Sequence, residues 1–304
     1  MTLSTCVVLT TYNGMKYIEP LVDSLRLQTR RIDEVLICDD GSKDETVSFL
    51  QDYIDKHCLS GWKIVVNKKN KGWKKNFRDG ILAAQSDLVF PCDQDDIWEI
   101  EKIEKMTAVF ESNDKVILLA SDYTPIYERG GKKVDSFEKS TVERLIHIKD
   151  DEQFSTHLRP GCVMAVRRSF IVSAADIWED TYAHDAFMWT VSSIEGGTYM
   201  LNVPLVKFRR HNNNTSTGIH RTIKNQIELM EMGESIVRWY RKQHEIISPE
   251  KEHVLEGYMN WSYLRKELLK DRKLIDFFRL IQYHSYFRSM RQEVGDLYYL
   301  MRGR

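Results

Sequence analysis

The sequence predicts an α/β fold in which helices cover a mostly parallel sheet and a helical extension follows at the C-terminus. Three observations support this. Short apolar runs rich in β-branched residues alternate with amphipathic stretches over the first 121 residues. This alternation is typical of parallel sheets with helices on both faces. From about residue 220 to the end, only the helical periodicity continues.

The alternation divides into four strand–helix units and a fifth strand. We predict strands at 5–11, 34–38, 62–66, 87–92 and 116–121, with helices at 16–28, 44–56, 74–84 and 99–111. An irregular excursion over 122–160 is followed by strands at 163–166 and 199–208 and helices at 169–178 and 184–194. Ser42-Lys43-Asp44-Glu45 fits a capping box at the start of the second helix.

The composition excludes several classes of protein. The chain has 44 Lys+Arg and 45 Asp+Glu, a balance that argues against a nucleic-acid-binding protein. No apolar run approaches the ~18 residues of a membrane-spanning helix, and the N-terminus does not resemble a secretory signal. The five cysteines include no CxxC pair, which suits reduced thiols. We therefore expect a cytoplasmic protein.

Polar segments follow three of the strands. They are Thr-Tyr-Asn-Gly at 11–14, Asp-Asp-Gly-Ser at 39–42 and Asp-Gln-Asp-Asp at 93–96. Ligands of open α/β sheets bind beyond the carboxyl ends of the strands, so these segments are expected at one site. The sequence has neither a GxGxxG nor a P-loop signature, which disfavours a dinucleotide or P-loop nucleotide site.

Each polar segment has a structural and a functional interpretation. Residues 93–96 can be a solvated acidic loop before a helix, or can hold Mg²⁺ or Mn²⁺, which prefer oxygen ligands. Asp39-Asp40 can form a turn, or accept hydrogen bonds from a nucleobase or a ribose. Five lysines between residues 68 and 75 can form a solvated face or supply cations to a diphosphate.

These motifs resemble those of the family 2 glycosyltransferases, which have the GT-A fold. The similarity covers roughly residues 3–218 in the order that the family has, with matching segments at 7–13, 37–46, 70–76, 92–98, 159–168, 184–189 and 208–214. The segments at 92–98, 184–189 and 208–214 are most similar to bacterial rhamnosyltransferases of cell-wall, capsule or O-antigen synthesis. The resemblance implies an inverting transfer of a sugar from a nucleoside-diphosphate donor.

The resemblance also implies roles for individual residues. Thr11, Tyr12, Asn13, Asp39, Asp40 and Asn76 would bind the donor, with Asp40 facing the base. Asp93 and Asp95 form a D-x-D, in which Asp95 would coordinate Mn²⁺ or Mg²⁺ and Asp93 would meet the ribose or a bound water. Asp185 falls at the position of the catalytic base.

Five further residues keep two interpretations. His211 can be a metal or diphosphate contact, or part of a polar loop, and Arg209 can contact the diphosphate or lie on the surface. Trp98 and Trp189 can stack on the acceptor sugar or belong to the core. His184 can contact the acceptor or make a structural hydrogen bond.

The expected reaction takes rhamnose from dTDP-rhamnose, or a hexose from a UDP-sugar, to a surface glycan on a lipid carrier. Two alternatives remain at this point: a sugar-1-phosphate nucleotidyltransferase, and a non-catalytic module that binds a glycan or nucleotide. We divide the chain into a catalytic domain, 1–218, and a helical region, 219–304. Residues 261–304 have ten Lys/Arg and five Asp/Glu, so the helical region either contacts a membrane peripherally or packs on the catalytic domain or a second subunit.

Overall fold

A computed structural model describes residues 2–128, 142–211, 222–271 and 274–302. The first four strands are β1 (Thr5–Thr11), β2 (Glu34–Asp39), β3 (Trp62–Val66) and β4 (Leu88–Asp93). They lie in the order β3-β2-β1-β4, and every neighbouring pair is parallel. This half of the sheet confirms the predicted strand–helix alternation and brings the carboxyl ends of β1, β2 and β4 to one edge.

The other half of the sheet is mixed. Its strands are β5 (Ile97–Trp98), β6 (Leu118–Tyr127), β7 (Leu145–His147), β8 (Met164–Arg167) and β9 (Thr198–Arg210). β8 runs antiparallel between β4 and β6, and β6 is parallel to β9. β5 and β7 pair antiparallel with β9. The excursion expected at 122–160 is therefore partly regular, because pairing with β9 extends β6 to Tyr127.

Six helices belong to the part of the chain that carries the family motifs. They are α1 (Met15–Arg26), α2 (Thr46–Lys56), α3 (Trp73–Ala83), α4 (Lys102–Ser112), α5 (Arg168–Ser173) and α6 (His184–Ile194). The single helix predicted at 169–178 is instead α5 and a separate 3₁₀ turn at Ala175–Ile177. Residues 178–183 connect this turn to α6, which starts at His184 as predicted.

The C-terminal region is helical, as predicted. It contains α7 (Ile223–Gln243), α8 (Pro249–Asp271), α9 (Leu274–Leu280), a 3₁₀ segment (Ile281–Tyr286) and α10 (Met290–Arg302). The predicted boundary between 218 and 219 lies outside the described residues. Within the described ranges, no helix is both long enough and apolar enough to span a membrane.

One core joins these helices to the sheet. β1 is buried along its whole length, and α6 is buried at every residue except Asp185. The hydrophobic cluster continues from β1 and α6 to Tyr258 and Trp261 of α8. On α7, Trp239 meets the edge of Phe170 at 6.0 Å between ring centroids. Burial at this scale is the main stabilising contribution to the fold.

Candidate active site

A cleft of about 740 Å³ lies at the carboxyl ends of β1, β2 and β4. It brings together most of the residues that the sequence singles out. The predicted residues that line it are Thr11, Tyr12, Asn13, Asp40, Asn76, Asp93, Asp95, His184, Asp185 and His211. Four others, Asp39, Arg209, Trp98 and Trp189, are not among its lining residues.

Asp39 organises the loop after β2. Its buried carboxylate accepts hydrogen bonds from the Thr11 hydroxyl at 2.7 Å and from the Ser42 amide at 2.8 Å and hydroxyl at 2.5 Å. The expected capping box is therefore wrong, because Ser42 points to Asp39 and α2 begins only at Thr46. Asp44 instead accepts a hydrogen bond from the Thr46 amide at 3.1 Å. The structure gives Asp39 internal partners rather than a face on the cleft.

Asp40 lines the cleft and orders the segment after β3. Its carboxylate accepts hydrogen bonds from the amides of Lys71 and Gly72, both at 2.9 Å, and from the Asn67 side chain at 3.0 Å. Gly72 has φ +87°, a left-handed conformation that favours glycine. Asn76 supports the same segment by accepting from Asn67 at 2.9 Å. Asp40 thus combines a structural role with a position on the cleft wall.

Three lysines of the lysine-rich segment interact with other residues of the protein. Lys71 pairs with Asp79 at 2.6 Å, and Lys75 pairs with Asp180. Of the five lysines between residues 68 and 75, only Lys74 is a lining residue. It donates to the Thr181 carbonyl at 2.6 Å. Lys71 and Lys75 therefore already have carboxylate partners.

The acidic loop after β4 meets the end of β9. The Nε2 atom of His211 lies 2.8 Å from Oδ2 of Asp95, and the His211 ring stacks on Tyr17 with centroids 5.1 Å apart. Arg209 supports this loop from outside the cleft. Its amide donates to Asp96 at 2.9 Å, and its Nε donates to the Asp95 carbonyl at 2.8 Å. Arg209 is in place to position the loop.

Negative charge accumulates around this loop. Burial and the neighbouring carboxylates of Asp96, Asp95 and Asp185 raise the pKa of Asp93 well above its ordinary value. Burial and the Asp95 carboxylate raise the pKa of Asp96 to about 7. A divalent cation in the cleft would stabilise the ionised form of these groups.

A buried lysine lies beneath the same loop. Lys102, fully buried at the start of α4, donates to the Cys162 carbonyl at 2.6 Å and stands 3.2 Å above the Trp98 ring. Burial lowers the pKa of Lys102 to about 8. Lys102 was not among the residues predicted from the sequence, although a lysine six positions after the acidic loop was a visible signal. Its bond to Cys162 ties α4 to the segment beside the cleft.

The donor set in the cleft fits a hard divalent cation. Asp93, Asp95 and His211 offer two carboxylates and one imidazole in the same cleft, and Mg²⁺ and Mn²⁺ take oxygen ligands readily. Among the described residues, the group of three whose ligand atoms all lie within 4.8 Å of one another is Asp93, Asp96 and Cys162, so Asp93, Asp95 and His211 are spread more widely than this. Burial raises the pKa of the Cys162 thiol well above its ordinary value, so it is a poor thiolate ligand.

Asp185 enters the cleft from the first turn of α6. Its Oδ1 accepts a hydrogen bond from the Ala186 amide at 2.8 Å, and a carboxylate at this position interacts favourably with the helix N-terminus. It is also the half-buried residue of an otherwise buried helix. The fold therefore turns one carboxylate of α6 toward the cleft.

His184 precedes Asp185 and has a different environment. Its ring is 3 % exposed and stacks on Phe77 with centroids 3.9 Å apart. Neither ring nitrogen has a hydrogen-bond partner among the described residues. The ring also abuts Gly161, where an added Cβ would lie 2.0 Å from Nε2. Of the two interpretations of His184, the structural hydrogen bond is absent within these residues, and the ring nitrogens are too buried to favour contact with an acceptor.

We predict that His184 makes the protein sensitive to acid. Burial lowers the pKa of His184 from 6.5 to about 4. Between these values the unfolded chain binds the proton and the folded protein does not, so stability falls as the pH drops through 6.5. Lowering the pH from 8 to 5 should cost about 2 kcal/mol of unfolding free energy through this group.

Urea unfolding at both pH values checks this prediction. His184→Phe should remove that share of the pH dependence while retaining a ring against Phe77. His253→Phe changes an exposed histidine on α8 and is the matched control, which should keep the wild-type pH dependence. An unchanged pH dependence in His184→Phe would contradict the prediction.

The two indoles expected to contact the acceptor belong to the core. Trp98 is 2 % exposed and Trp189 is fully buried, so neither offers a ring face to a sugar. Trp98 packs against Phe90 and under Lys102. Trp73, which was not a predicted site residue although it lies within the 70–76 motif, lines the cleft instead.

Comparison with known proteins identifies the family. Residues 6–172 match the family model described as glycosyl transferase family 2. The chain belongs to this family. A glycosyltransferase is therefore supported over the nucleotidyltransferase and the non-catalytic module.

Named relatives agree at this level. An uncharacterized glycosyltransferase of Haemophilus influenzae is 26% identical over 69% of this chain and 67% of its own length. The dTDP-rhamnosyl transferase RfbG of Shigella flexneri is 23% identical, covering 77% of this chain and 81% of RfbG.

Solved structures share the fold. S. aureus TarS 1-349 in complex with UDP has a TM-score of 0.66 at 16% identity, covering 98% of this chain and 87% of that one. The mannosyltransferase PcManGT from Pyrobaculum calidifontis, in complex with GDP-Man and Mn²⁺, has a TM-score of 0.53 at 14% identity, with 94% and 74% coverage. These likenesses support the GT-A fold for the glycosyltransferase.

Proposed function

We propose that this glycosyltransferase transfers a sugar, with inversion, from a nucleoside diphosphate to a glycan acceptor. The observation that carries the proposal is the meeting of Asp93, Asp95, His211 and Asp185 in one cleft. It supplies, in the same cleft, a cation-binding group for a diphosphate and a carboxylate for proton transfer. The family membership restricts this chemistry to glycosyl transfer.

The donor end of the cleft is assigned to β1 and β2. Thr11, Tyr12, Asn13 and Asp40 would contact the nucleoside, with Asn76 and Asp39 holding their loops in place. The Thr11 hydroxyl already donates to Asp39, which leaves its backbone and methyl group for the donor. RfbG and the resemblance to rhamnosyltransferases favour dTDP-rhamnose, and TarS with bound UDP supports a UDP-sugar as the other candidate.

Each side chain has a defined part in the reaction. The Asp185 carboxylate takes the proton of the acceptor hydroxyl as its oxygen forms the bond to the anomeric carbon. The bond from that carbon to the diphosphate breaks, and the nucleoside diphosphate leaves with the electron pair. Asp93, Asp95 and His211 would hold Mn²⁺ or Mg²⁺, which neutralises charge on the leaving diphosphate. Arg209 keeps Asp95 in position.

Thermal denaturation with added nucleotides tests the proposal. dTDP-rhamnose, UDP-glucose and UDP-N-acetylglucosamine are each added with Mn²⁺, with Mg²⁺ and with EDTA. A ligand that binds the folded protein raises its midpoint of unfolding. At least one sugar nucleotide should do so with a divalent cation and not with EDTA. A midpoint unchanged by every nucleotide with either cation would contradict the proposal.

The C-terminal helices are proposed to face a membrane or a second subunit. The surface of α9, the 3₁₀ segment and α10 exposes several large apolar residues: Ile275, Phe278, Ile281, Met290, Val294 and Tyr298. Arg279 on α9, Arg291 on α10 and Arg288 in the connection before α10 are also exposed. Basic residues beside apolar ones suit anionic lipid, where the acceptor glycan would be carried. Two measurements distinguish these partners. Flotation with anionic vesicles tests the membrane, and the mass of the protein in solution tests the second subunit.

A further inference from the structure

The loop that follows β1 takes its conformation from residues elsewhere in the chain. We call residues 12–14 the nucleoside loop, because Tyr12 and Asn13 are proposed to contact the nucleoside. Asn13 has φ +49°, in the left-handed region that few residues other than glycine adopt. Its amide donates to the Ser42 hydroxyl at 2.8 Å, and its Oδ1 accepts from the Lys43 amide at 2.8 Å. The segment after β2 therefore holds one side of the nucleoside loop.

Gln94 of the acidic loop holds the other side. Its Oε1 accepts a hydrogen bond from the Tyr12 amide at 2.8 Å, and its Nε2 donates to the Tyr12 carbonyl at 3.2 Å. One side-chain amide thus satisfies both main-chain polar groups of Tyr12. An ionised glutamate at this position could accept the first bond but could not donate the second. The contact therefore depends on the amide of Gln94.

The fit of Gln94 also depends on Gly14. A Cβ atom added at Gly14 would lie 2.4 Å from Oε1 of Gln94 and 2.9 Å from its Cδ. Non-bonded atoms do not approach this closely, so a larger residue at position 14 would push the end of the Gln94 side chain away. The nucleoside loop and the acidic loop are therefore matched to each other at this contact.

Gln94 lies between two of the carboxylates that are proposed to hold the cation. Asp93 and Asp95 flank it in the sequence, and all three residues line the cleft. Without a cation, the neighbouring carboxylates repel one another. A divalent cation would remove this repulsion and restrict the main chain on both sides of Gln94. Cation binding would therefore also restrict the side chain that holds Tyr12.

We propose that Gln94 is a positioning residue that couples the cation site to the nucleoside site. This inference rests on the proposed function and adds a link between its two halves. A cation held at the acidic loop strengthens nucleoside binding through the hydrogen bonds between Gln94 and Tyr12, in addition to any direct contact with the diphosphate. Coupling between two sites is reciprocal, so a bound nucleoside also strengthens cation binding.

A nucleoside without phosphate tests this coupling, because it has no diphosphate to reach the cation. Thymidine and uridine are titrated into the full chain by isothermal titration calorimetry. One series contains the divalent cation that supports binding of dTDP or UDP, and the other contains EDTA. At least one of the two nucleosides should bind the wild-type protein at least about fivefold more tightly with the cation than with EDTA.

Two variants break the link from opposite sides. Gln94→Met keeps the length of the side chain and removes both hydrogen bonds to Tyr12. Gly14→Ala keeps Gln94 but displaces the end of its side chain, which is flexible, so the fold should persist. In each variant the affinity gained from the cation should fall below about twofold, because the two loops are no longer connected.

The controls make the same changes elsewhere. Gln51→Met alters an exposed glutamine of α2, and Gly295→Ala adds a methyl group on α10 where no described residue lies within 4 Å. Both should keep the wild-type gain in nucleoside affinity. All four variants should show a cooperative thermal transition in EDTA, which separates loss of coupling from loss of folding.

The outcomes separate this inference from the proposed function. If neither dTDP nor UDP binds the wild-type protein with Mn²⁺ or Mg²⁺, the proposed function itself fails. If a nucleotide binds with a cation, three results overturn the coupling alone: neither nucleoside binds with that cation, both bind equally well in EDTA, or a folded Gln94→Met or Gly14→Ala protein keeps the wild-type gain.

Discussion

Replacing Asp185 with asparagine is expected to lower turnover by roughly a thousandfold while leaving donor binding intact. A positioned general base contributes roughly 10² to 10⁴ to a rate, and asparagine cannot take the proton of the acceptor hydroxyl. The amide oxygen of asparagine can still accept the bond that Asp185 receives from the Ala186 amide, so α6 keeps its first turn. The measurement is release of nucleoside diphosphate from the donor that raises the thermal midpoint most.

The control for this variant is Asp176→Asn, which changes an exposed carboxylate in the 3₁₀ turn before α6. It should turn over at the wild-type rate. Thermal shift with nucleotide and Mn²⁺ should be the same in both variants and the wild type, which separates loss of chemistry from loss of binding. Near wild-type turnover by Asp185→Asn would remove Asp185 as the base.

The approximate position of the site could be predicted from the sequence, because the carboxyl ends of parallel strands lie at the same edge of the sheet. Asn13, Asp40 and Asp93 are far apart along the chain, yet all three line one cleft. Their convergence requires only that β1, β2 and β4 run parallel in one sheet, which the alternation predicts, and the structure makes β2 and β4 the two neighbours of β1. Mixed pairing in the second half was not predictable in this way, because β8 is short and its antiparallel neighbours are set by distant contacts.

Which side chain faces the cleft depends on contacts that local pattern does not encode. Asp39 and Asp40 are adjacent residues of the same type. The Asp39 carboxylate accepts a hydrogen bond from the Thr11 hydroxyl, whereas Asp40 lines the cleft. Trp189 is an aromatic residue on a helix with no exposed apolar face, since β6, β9 and α7 all pack against α6. Because α6 is buried, Trp189 cannot stack on a sugar. This burial is visible only once the positions of α7 and the sheet are known.

The position of Glu228 in the cleft wall could not have been found from sequence pattern. It lies in a tail without a family motif and meets Lys74, 154 positions earlier, only because α7 packs beside α6 and α3. Lys102 and Trp73 differ from it, since both lie in or next to segments that the sequence singles out.

Replacing Asp95 with asparagine is expected to abolish the metal-dependent part of nucleotide binding and to lower turnover at least about a hundredfold. Neutralisation of the departing diphosphate is worth several kcal/mol, and a neutral amide is a much weaker ligand for a hard cation than a carboxylate. The His211 ring, 2.8 Å from Asp95, keeps a hydrogen-bonding neighbour in the amide of asparagine. The loop should therefore stay in place while its charge falls.

Asp95→Asn is expected to weaken metal-dependent binding but not to destabilise the metal-free protein, and this contrast makes the experiment decisive. Asp93, Asp95 and Asp96 repel one another, and this repulsion contributes to the raised pKa values of Asp93 and Asp96. Asp95→Asn should unfold at an equal or higher temperature than the wild type in EDTA, yet gain nothing from Mn²⁺ with nucleotide. Asp114→Asn, which changes a solvent-exposed carboxylate, should keep the wild-type gain. A full Mn²⁺-dependent gain in Asp95→Asn would show that Asp95 is not a ligand, whereas a lower midpoint in EDTA would show that the carboxylate stabilises the loop without metal.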